Sequence, residues 1–360
     1  MAKRQGPPTP IKNMNRGREL HELLSTGEEL IVVCHNNPDP DCLASALALG
    51  KIAGNAGIDE RRVMYSGTIS HQQNRAFVNL LEMNLTEFDE QVIRNRGENS
   101  LVAFVDHAIP GQNNEVSDDI MIDIVIDHHP AEDIEATFID HREQIGATST
   151  ILSQYLIELE IVPSEKLATG LLFAIRRETL GFLRDVTKEE YQAAAALHDT
   201  IDEELLRRLT MPAVSSATID AIALAITNRQ VRNSVLITHV GRTSERDSLP
   251  QAADYLATLE GVGTAIVFGI VKENIEISAR STDSRVHLGD ALRDAFDGVG
   301  SAGGHRSFAG GEVPLGIVAD YADDDDNLAD IVETVITNRL VKALNLSEAA
   351  DETDEQKANS

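Results

Sequence analysis

The chain has 360 residues, enough for two domains with a core each, and carries a formal charge of −28, with 31 basic against 59 acidic residues. No run approaches the roughly 18–20 continuous apolar residues of a membrane span, and the basic start MAKRQGPPTPIKNMNRGREL lacks the apolar stretch of a secretory signal, so a cytoplasmic protein with no membrane partner is expected. Such acidity, with Arg in excess over Lys and no Trp, suits concentrated intracellular salt, where screening shortens self-repulsion to a few Å, and it argues against tight, non-specific binding to long nucleic acid, which requires a basic surface.

Residues 1–12 are Pro-rich and polar and read as a disordered tail. A short helix over 14–25 precedes a strand at about 29–34, a loop, and a helix over about 42–55. Further strands are expected in RRVMYSG (61–67), SLVAFVDHA (100–108) and IDIVIDHHP (122–130). Their alternation with helical stretches implies βαβ units and a mostly parallel sheet. Helices follow over 147–161, which begins with hydroxyl side chains, and over 165–179, where Gly170 allows close packing. The first domain is placed at 13–213 and a helical linker at 214–232. A smaller α/β domain at 233–345 has strands near 235–240, 264–271 and 275–280. Its helices are expected near 249–259, 288–296 and 328–344, with a Gly-rich loop at 301–316. The acidic run Asp323 to Asp326 reads as a solvated loop, and 346–360 as a disordered acidic tail. Cys34 and Cys42 have no zinc-knuckle spacing and read as buried free thiols.

The chemistry lies in where His and Asp fall. Only 11 His occur, yet His35, His107, His128 and His129 all follow predicted strands, accompanied by Asp39, Asp41, Asp106 and Asp127. In an open α/β sheet, ligands bind outside the carboxyl ends of strands, so three strand ends deliver imidazole and carboxylate to one edge. In His35-Asn-Asn-Pro-Asp39-Pro-Asp41 the prolines favour an extended loop, which would point both aspartates one way. Asp41 alone reads equally well as the cap of the next helix. Imidazole with several carboxylates suits manganese or a similar divalent ion. The three remaining features are VDH at 105–107, DHHP at 127–130, and the Gly-rich GGHRSFAGG at 303–311, whose backbone N–H groups can approach an anion closely.

This ordered set, HNNPDPD, VDH, DHHP and far downstream GGHRSFAGG, resembles the DHH phosphoesterase family with its DHHA1 domain, over roughly residues 28–320. That group contains oligoribonuclease/pAp phosphatases of the NrnA type, cyclic-dinucleotide phosphodiesterases and RecJ-type exonucleases. The resemblance implies an α/β fold in which a parallel-sheet DHH domain precedes a smaller α/β DHHA1 domain. It also implies two divalent ions, manganese being the expected one, with His35, Asp39, Asp41, Asp106 and His128 as ligands and Asp106 shared by both ions. By the same resemblance His129 would contact the scissile phosphate and Asp127 would support His128. Gly303, Gly304, His305 and Arg306 would contact substrate, with Arg280 as a further basic contact. One departure stands out: where the family offers another Asp, the stretch AIRRETLGF places Glu178, one methylene longer, as the sixth ligand candidate.

The reading that follows is hydrolysis of short oligonucleotides, pAp, or linear and cyclic dinucleotides by activated water. The alternatives are a RecJ-like exonuclease on longer single strands, and a nucleotide-binding module whose site is degenerate at Glu178. The GGH segment argues against a family-II inorganic pyrophosphatase. The sequence allows either a monomer or a homodimer.

Overall fold

The computed structural model describes residues 15–69, 72–212, 214–283, 285–321 and 324–346; the tail expected at 1–12, and all but Leu346 of the one expected at 346–360, lie outside them. The chain divides into two compact units, 1–213 and 214–360.

The first unit runs α1 (Arg16–Leu24), β1 (Glu29–Val33), α2 (Pro40–Asn55), β2 (Glu60–Tyr65), α3 (Gln72–Leu80), β3 (Leu85–Glu87), α4 (Glu90–Arg94) and β4 (Ser100–Val105). It continues with β5 (Ile124–Asp127), β6 (Phe138–His141), α5 (Thr148–Glu158), α6 (Glu165–Glu178), α7 (Lys188–His198) and α8 (Glu203–Thr210). Six strands form one sheet in the order β3-β2-β1-β4-β5-β6, and every pairing is parallel. The apolar runs of the central strands follow from burial on both faces. Leu30 and Val32 of β1 enter the core beneath the helices, while Ile31 and Val33 enter the core on the opposite face. The chain leaves β1 toward β2 and β3 and leaves β4 toward β5 and β6, so the switch in strand order lies between β1 and β4.

Helix α2 starts at Pro40, two residues earlier than expected. Asp39 caps it in an extended conformation (φ −98°), its carboxylate accepting from the N–H groups of Asp41 (2.9 Å) and Cys42 (3.2 Å). Pro at the first helical position needs no N–H and is already set at a helical φ. Asp39 and Asp41 are therefore a cap and a first-turn residue, not alternate residues of an extended loop. The short strands β3 and β6 had no sequence signal: three and four residues are too few for a period to register.

The second unit comprises α9 (Ser216–Thr227), β7 (Gln230–Arg232), β8 (Val235–Arg242), α10 (Ser248–Leu256), β9 (Thr264–Val271) and β10 (Asn274–Ser281). There follow α11 (Leu288–Phe296), β11 (Ser301–Gly304), β12 (Phe308–Pro314), a 3₁₀ turn (Gly316–Tyr321) and α12 (Asp325–Ala343). Its sheet has the order β11-β12-β10-β9-β8-β7 and is mixed: β8 and β9 run parallel and the other neighbours antiparallel. One core packs α9 and α10 on one face and a second packs α11 and α12 on the other.

Three expectations change here. Residues 214–232 are not a linker: Ala221 and Ala225 of α9 are buried against Leu236 and Leu249, and β7 pairs with β8. The Gly-rich segment is the hairpin β11–β12, not a loop, with Gly303 opposite Gly310. Of the acidic run, Asp323 lies outside the described residues, Asp324 caps α12, accepting from Asn327 N–H at 2.8 Å, and the helix itself begins at Asp325.

Candidate metal centre and substrate hairpin

The loops after β1, β4 and β5 meet at the switch point, where an open α/β sheet has its crevice. The loop after β1 is pinned from β2: Asn37 N–H donates to the Ser66 carbonyl (2.9 Å) and Thr68 N–H donates to Asn37 Oδ1 (2.8 Å). Gly67 (φ +78°) leaves the room this needs, since a Cβ there would lie 2.5 Å from Asn37 Oδ1.

Asp106, one residue past β4, is the centre of the arrangement. Its backbone is left-handed (φ +67°), a conformation Asp tolerates better than most residues. Its N–H donates to the Ile126 carbonyl at 2.9 Å. Its Oδ2 lies 3.6 Å from His35 Nε2, and its Oδ1 lies 3.5 Å from His128 Nε2 and 3.8 Å from His129 Nδ1. Two ligand groups result, His35–Asp39–Asp106 and Asp106–His128–His129, each with its donor atoms within 4.8 Å of one another. They share Asp106.

The imidazoles are held for this geometry. His35 donates from Nδ1 to the Asn36 carbonyl (3.0 Å) and His128 from Nδ1 to the Ile145 carbonyl (2.9 Å). Each bond fixes the tautomer that leaves Nε2 a lone pair facing the carboxylates. His128 Nε2 is buried with no hydrogen-bond partner. Asp127 does not support the His128 ring as expected. Its Oδ1 accepts from the backbone N–H groups of His128 (2.8 Å) and His129 (3.1 Å), and it pairs with His129 Nδ1 at 2.9 Å. That bond to Asp127, offset in part by burial and aided by Asp106, raises the His129 pKa to about 9. A half-exposed imidazolium therefore stands over the carboxylates.

The carboxylates crowd one another. Burial, then Asp41 and Asp39, push Asp106 well above the usual range, and burial also raises Asp41. Asp41 lies outside both ligand groups, although its Oδ2 is 3.9 Å from His128 Nε2. Both its oxygens accept from the start of α5, from Thr148 N–H (2.7 Å) and Ser149 N–H (2.8 Å). Glu178, the last residue of α6, is likewise outside both groups. Burial, followed by repulsion from Asp39 and Asp41, raises it to about 8, so the longer side chain is close enough to feel the cluster. Among the described residues no Lys or Arg forms an ion pair with Asp41 or Asp106, whereas Arg177 and Arg184 partly offset the charge at Glu178; buried carboxylates with an orphaned imidazole nitrogen form a donor set that suits divalent cations.

His107 belongs to the VDH signal but turns away. Its Nδ1 lies 3.0 Å from the Val105 carbonyl and its ring packs on Phe104, centroids 4.3 Å apart. Its Nε2 is buried without a partner, and burial lowers its pKa to about 3. The residues missed by sequence reasoning are Thr148 and Ser149. Their hydroxyls were visible at the start of a helix, but nothing in the sequence tied that helix to β1 or β4.

In the second unit, His305 and Arg306 form the exposed turn of the β11–β12 hairpin. The turn is fastened to α11: Leu288 N–H donates to the Arg306 carbonyl (3.2 Å) and Gly289 N–H to that of His305 (3.0 Å). His305 packs on Phe308, centroids 4.6 Å apart. Arg280 on β10 is in register with Phe308 and forms an ion pair with Asp254.

Comparison with known proteins agrees with this division. The model of the DHH family, N-terminal domain, matches residues 29–175 and that of the DHHA1 domain residues 232–338. An uncharacterized protein of Methanocaldococcus jannaschii is 38% identical over 91% of this chain and 67% of its own length. A probable manganese-dependent inorganic pyrophosphatase of Clostridium acetobutylicum is 29% identical over 49% of this chain and 57% of its own, so the chain spans little more than half of that relative. Among solved structures, an exopolyphosphatase-related protein from Bacteroides fragilis has the same fold, with a TM-score of 0.69 at 16% identity over 94% of this chain and all of that one. The chain belongs to the DHH phosphoesterase family, with a DHH domain followed by a DHHA1 domain. No helix among the described residues is long and apolar enough to cross a membrane.

Proposed function

We propose that the chain is a two-metal hydrolase of phosphate esters in short substrates: oligonucleotides of a few residues, pAp, or linear and cyclic dinucleotides. The position of Asp106 carries this reading: its Oδ2 lies 3.6 Å from His35 Nε2 and its Oδ1 lies 3.5 Å from His128 Nε2, so one carboxylate faces two ligating imidazoles. His35, Asp39 and Asp106 would hold one divalent ion, manganese by preference; His128 and Asp106, with Asp41 alongside, would hold the second. Glu178 is the sixth candidate, close to the cluster but reaching it only through a longer side chain. Two bound ions supply activation of a water and neutralisation of the phosphate. The chain's own groups do the rest. Asp127 keeps His129 oriented and charged, so that it donates to a phosphate oxygen as negative charge builds. Asp106 and Asp41 stay fixed through α5. Hydrolysis adds water across the P–O bond with no covalent enzyme intermediate.

The hairpin of the second unit would recognise the rest of the substrate. Gly303 and Gly304 expose backbone, His305 and Arg306 add donors, and Arg280 would exchange Asp254 for an anionic group. Short substrates are favoured because so acidic a chain lacks the extended basic surface that holds a long polyanion.

The test is a length series with manganese in molar KCl: pAp, a linear dinucleotide, cyclic di-AMP, a five-mer and a twenty-mer, with Asp41→Asn alongside. Fastest turnover of the shortest substrates and an inactive variant are expected. Processive degradation of the twenty-mer with pAp untouched would establish a RecJ-like exonuclease instead. Metal binding without turnover would point to a binding module.

A further inference from the structure

Helix α5 begins without a cap of its own. Its N-cap is Ala147, whose side chain accepts nothing, and the residues that follow, Thr148, Ser149 and Thr150, are fully buried. A helix start buried without partners is costly. Asp41, 107 residues earlier in the chain, satisfies it by accepting from both Thr148 N–H and Ser149 N–H. The backbone of this first turn is thereby committed to one carboxylate. The Thr148 hydroxyl is committed to another: its Oγ1 donates to Asp106 Oδ1 at 2.9 Å. Among the described residues, no other side-chain donor to the Asp106 carboxylate is present.

That bond does something the backbone of Asp106 cannot. The Ile126 carbonyl fixes the position of the Asp106 main chain, but the terminal torsion of an Asp is broad and roughly two-fold. A donor on Oδ1 selects one rotation, which leaves Oδ1 toward His128 and Oδ2 toward His35. A β-branched Thr holds its hydroxyl in few rotamers, so the direction of that donor is itself set.

We infer that Thr148 is a positioning residue for Asp106, holding its two oxygens apart so that each serves one ligand group. The inference rests on the two-ion reading above. On this view the first turn of α5 registers the carboxylate from α2 against the one that follows β4.

The test uses the metal-free full chain titrated with manganese, followed by calorimetry and by the electron paramagnetic resonance of free Mn²⁺, with Thr148→Val, Thr148→Ser and Asp106→Asn compared. Val keeps the shape and the backbone N–H groups but removes the hydroxyl; Ser restores it. Thr148→Val should bind manganese roughly 10–100-fold more weakly, the usual effect of losing a group that orients a ligand. Its metal-free melting temperature should stay near that of the parent, and Thr148→Ser should bind nearly as the parent does. The inference is overturned if Thr148→Val binds like the parent while Asp106→Asn does not. It is also overturned if Ser fails as Val does, or if Thr148→Val does not fold. Parent-like binding by Asp106→Asn would instead remove the two-ion reading beneath it.

Discussion

Asp106, Asp41 and Glu178 are acids held above their ordinary range, chiefly by burial and then by neighbouring carboxylates, Asp39 acting on all three. Their folded forms bind protons more tightly than the unfolded chain does, so the stability they allow is present below their unfolded pKa values and is lost as pH rises. For Glu178 the loss runs from its ordinary 4.5 to about 8. His129, raised from 6.5 to about 9 by Asp127, adds a loss in the same direction over the upper part of that range. Above pH 6.5, where His107 no longer titrates, the metal-free protein should therefore melt at progressively lower temperature up to pH 9. Glu178→Gln should flatten part of the slope, and saturating manganese should reverse it. A metal-free melting temperature that rises through this range would contradict the crowding. His107 has the opposite sign: it is neutral when folded, with its pKa lowered to about 3, so its contribution is lost as pH falls below 6.5.

At the scale of elements, the strands that carry His35, Asp106 and Asp127 were legible because central parallel strands are continuous apolar runs ending in polar residues. Some of the shortest strands were not. β6 has four residues and β11 is SAGG, where glycine gives neither β-propensity nor period. The pairing of α5 with two carboxylates was not legible either, since it joins residues 107 and 42 positions apart. The hairpin gives a prediction of its own. Gly289, in the first turn of α11, lies so close to β11 that an added Cβ would sit 2.1 Å from the Gly304 carbonyl oxygen. Gly289→Ala should lower the stability of the second unit and weaken substrate affinity through displacement of His305, while manganese binding in the first unit stays unchanged. His305→Ala should raise KM without loss of metal. An unchanged KM in both variants would take the hairpin out of substrate recognition.

For the whole molecule, the acidic balance and the metal centre are two parts of one electrostatic problem. A chain of net charge −28 repels any phosphate that approaches it, and the switch point of its first sheet gathers still more carboxylate. Both facts make sense if the site is completed by cations, since divalent ions neutralise the carboxylates and present a strong local attraction for an anion. On the proposed reading, the exposed His305–Arg306 turn of the second unit would add a few donors for the substrate. If one Asp106 carboxylate serves two ions, equilibrium counting of bound manganese will show it. Two ions per chain are expected in the parent and none in Asp106→Asn, with the variant still folded. Two ions retained by Asp106→Asn, or a single ion in the parent, would contradict it.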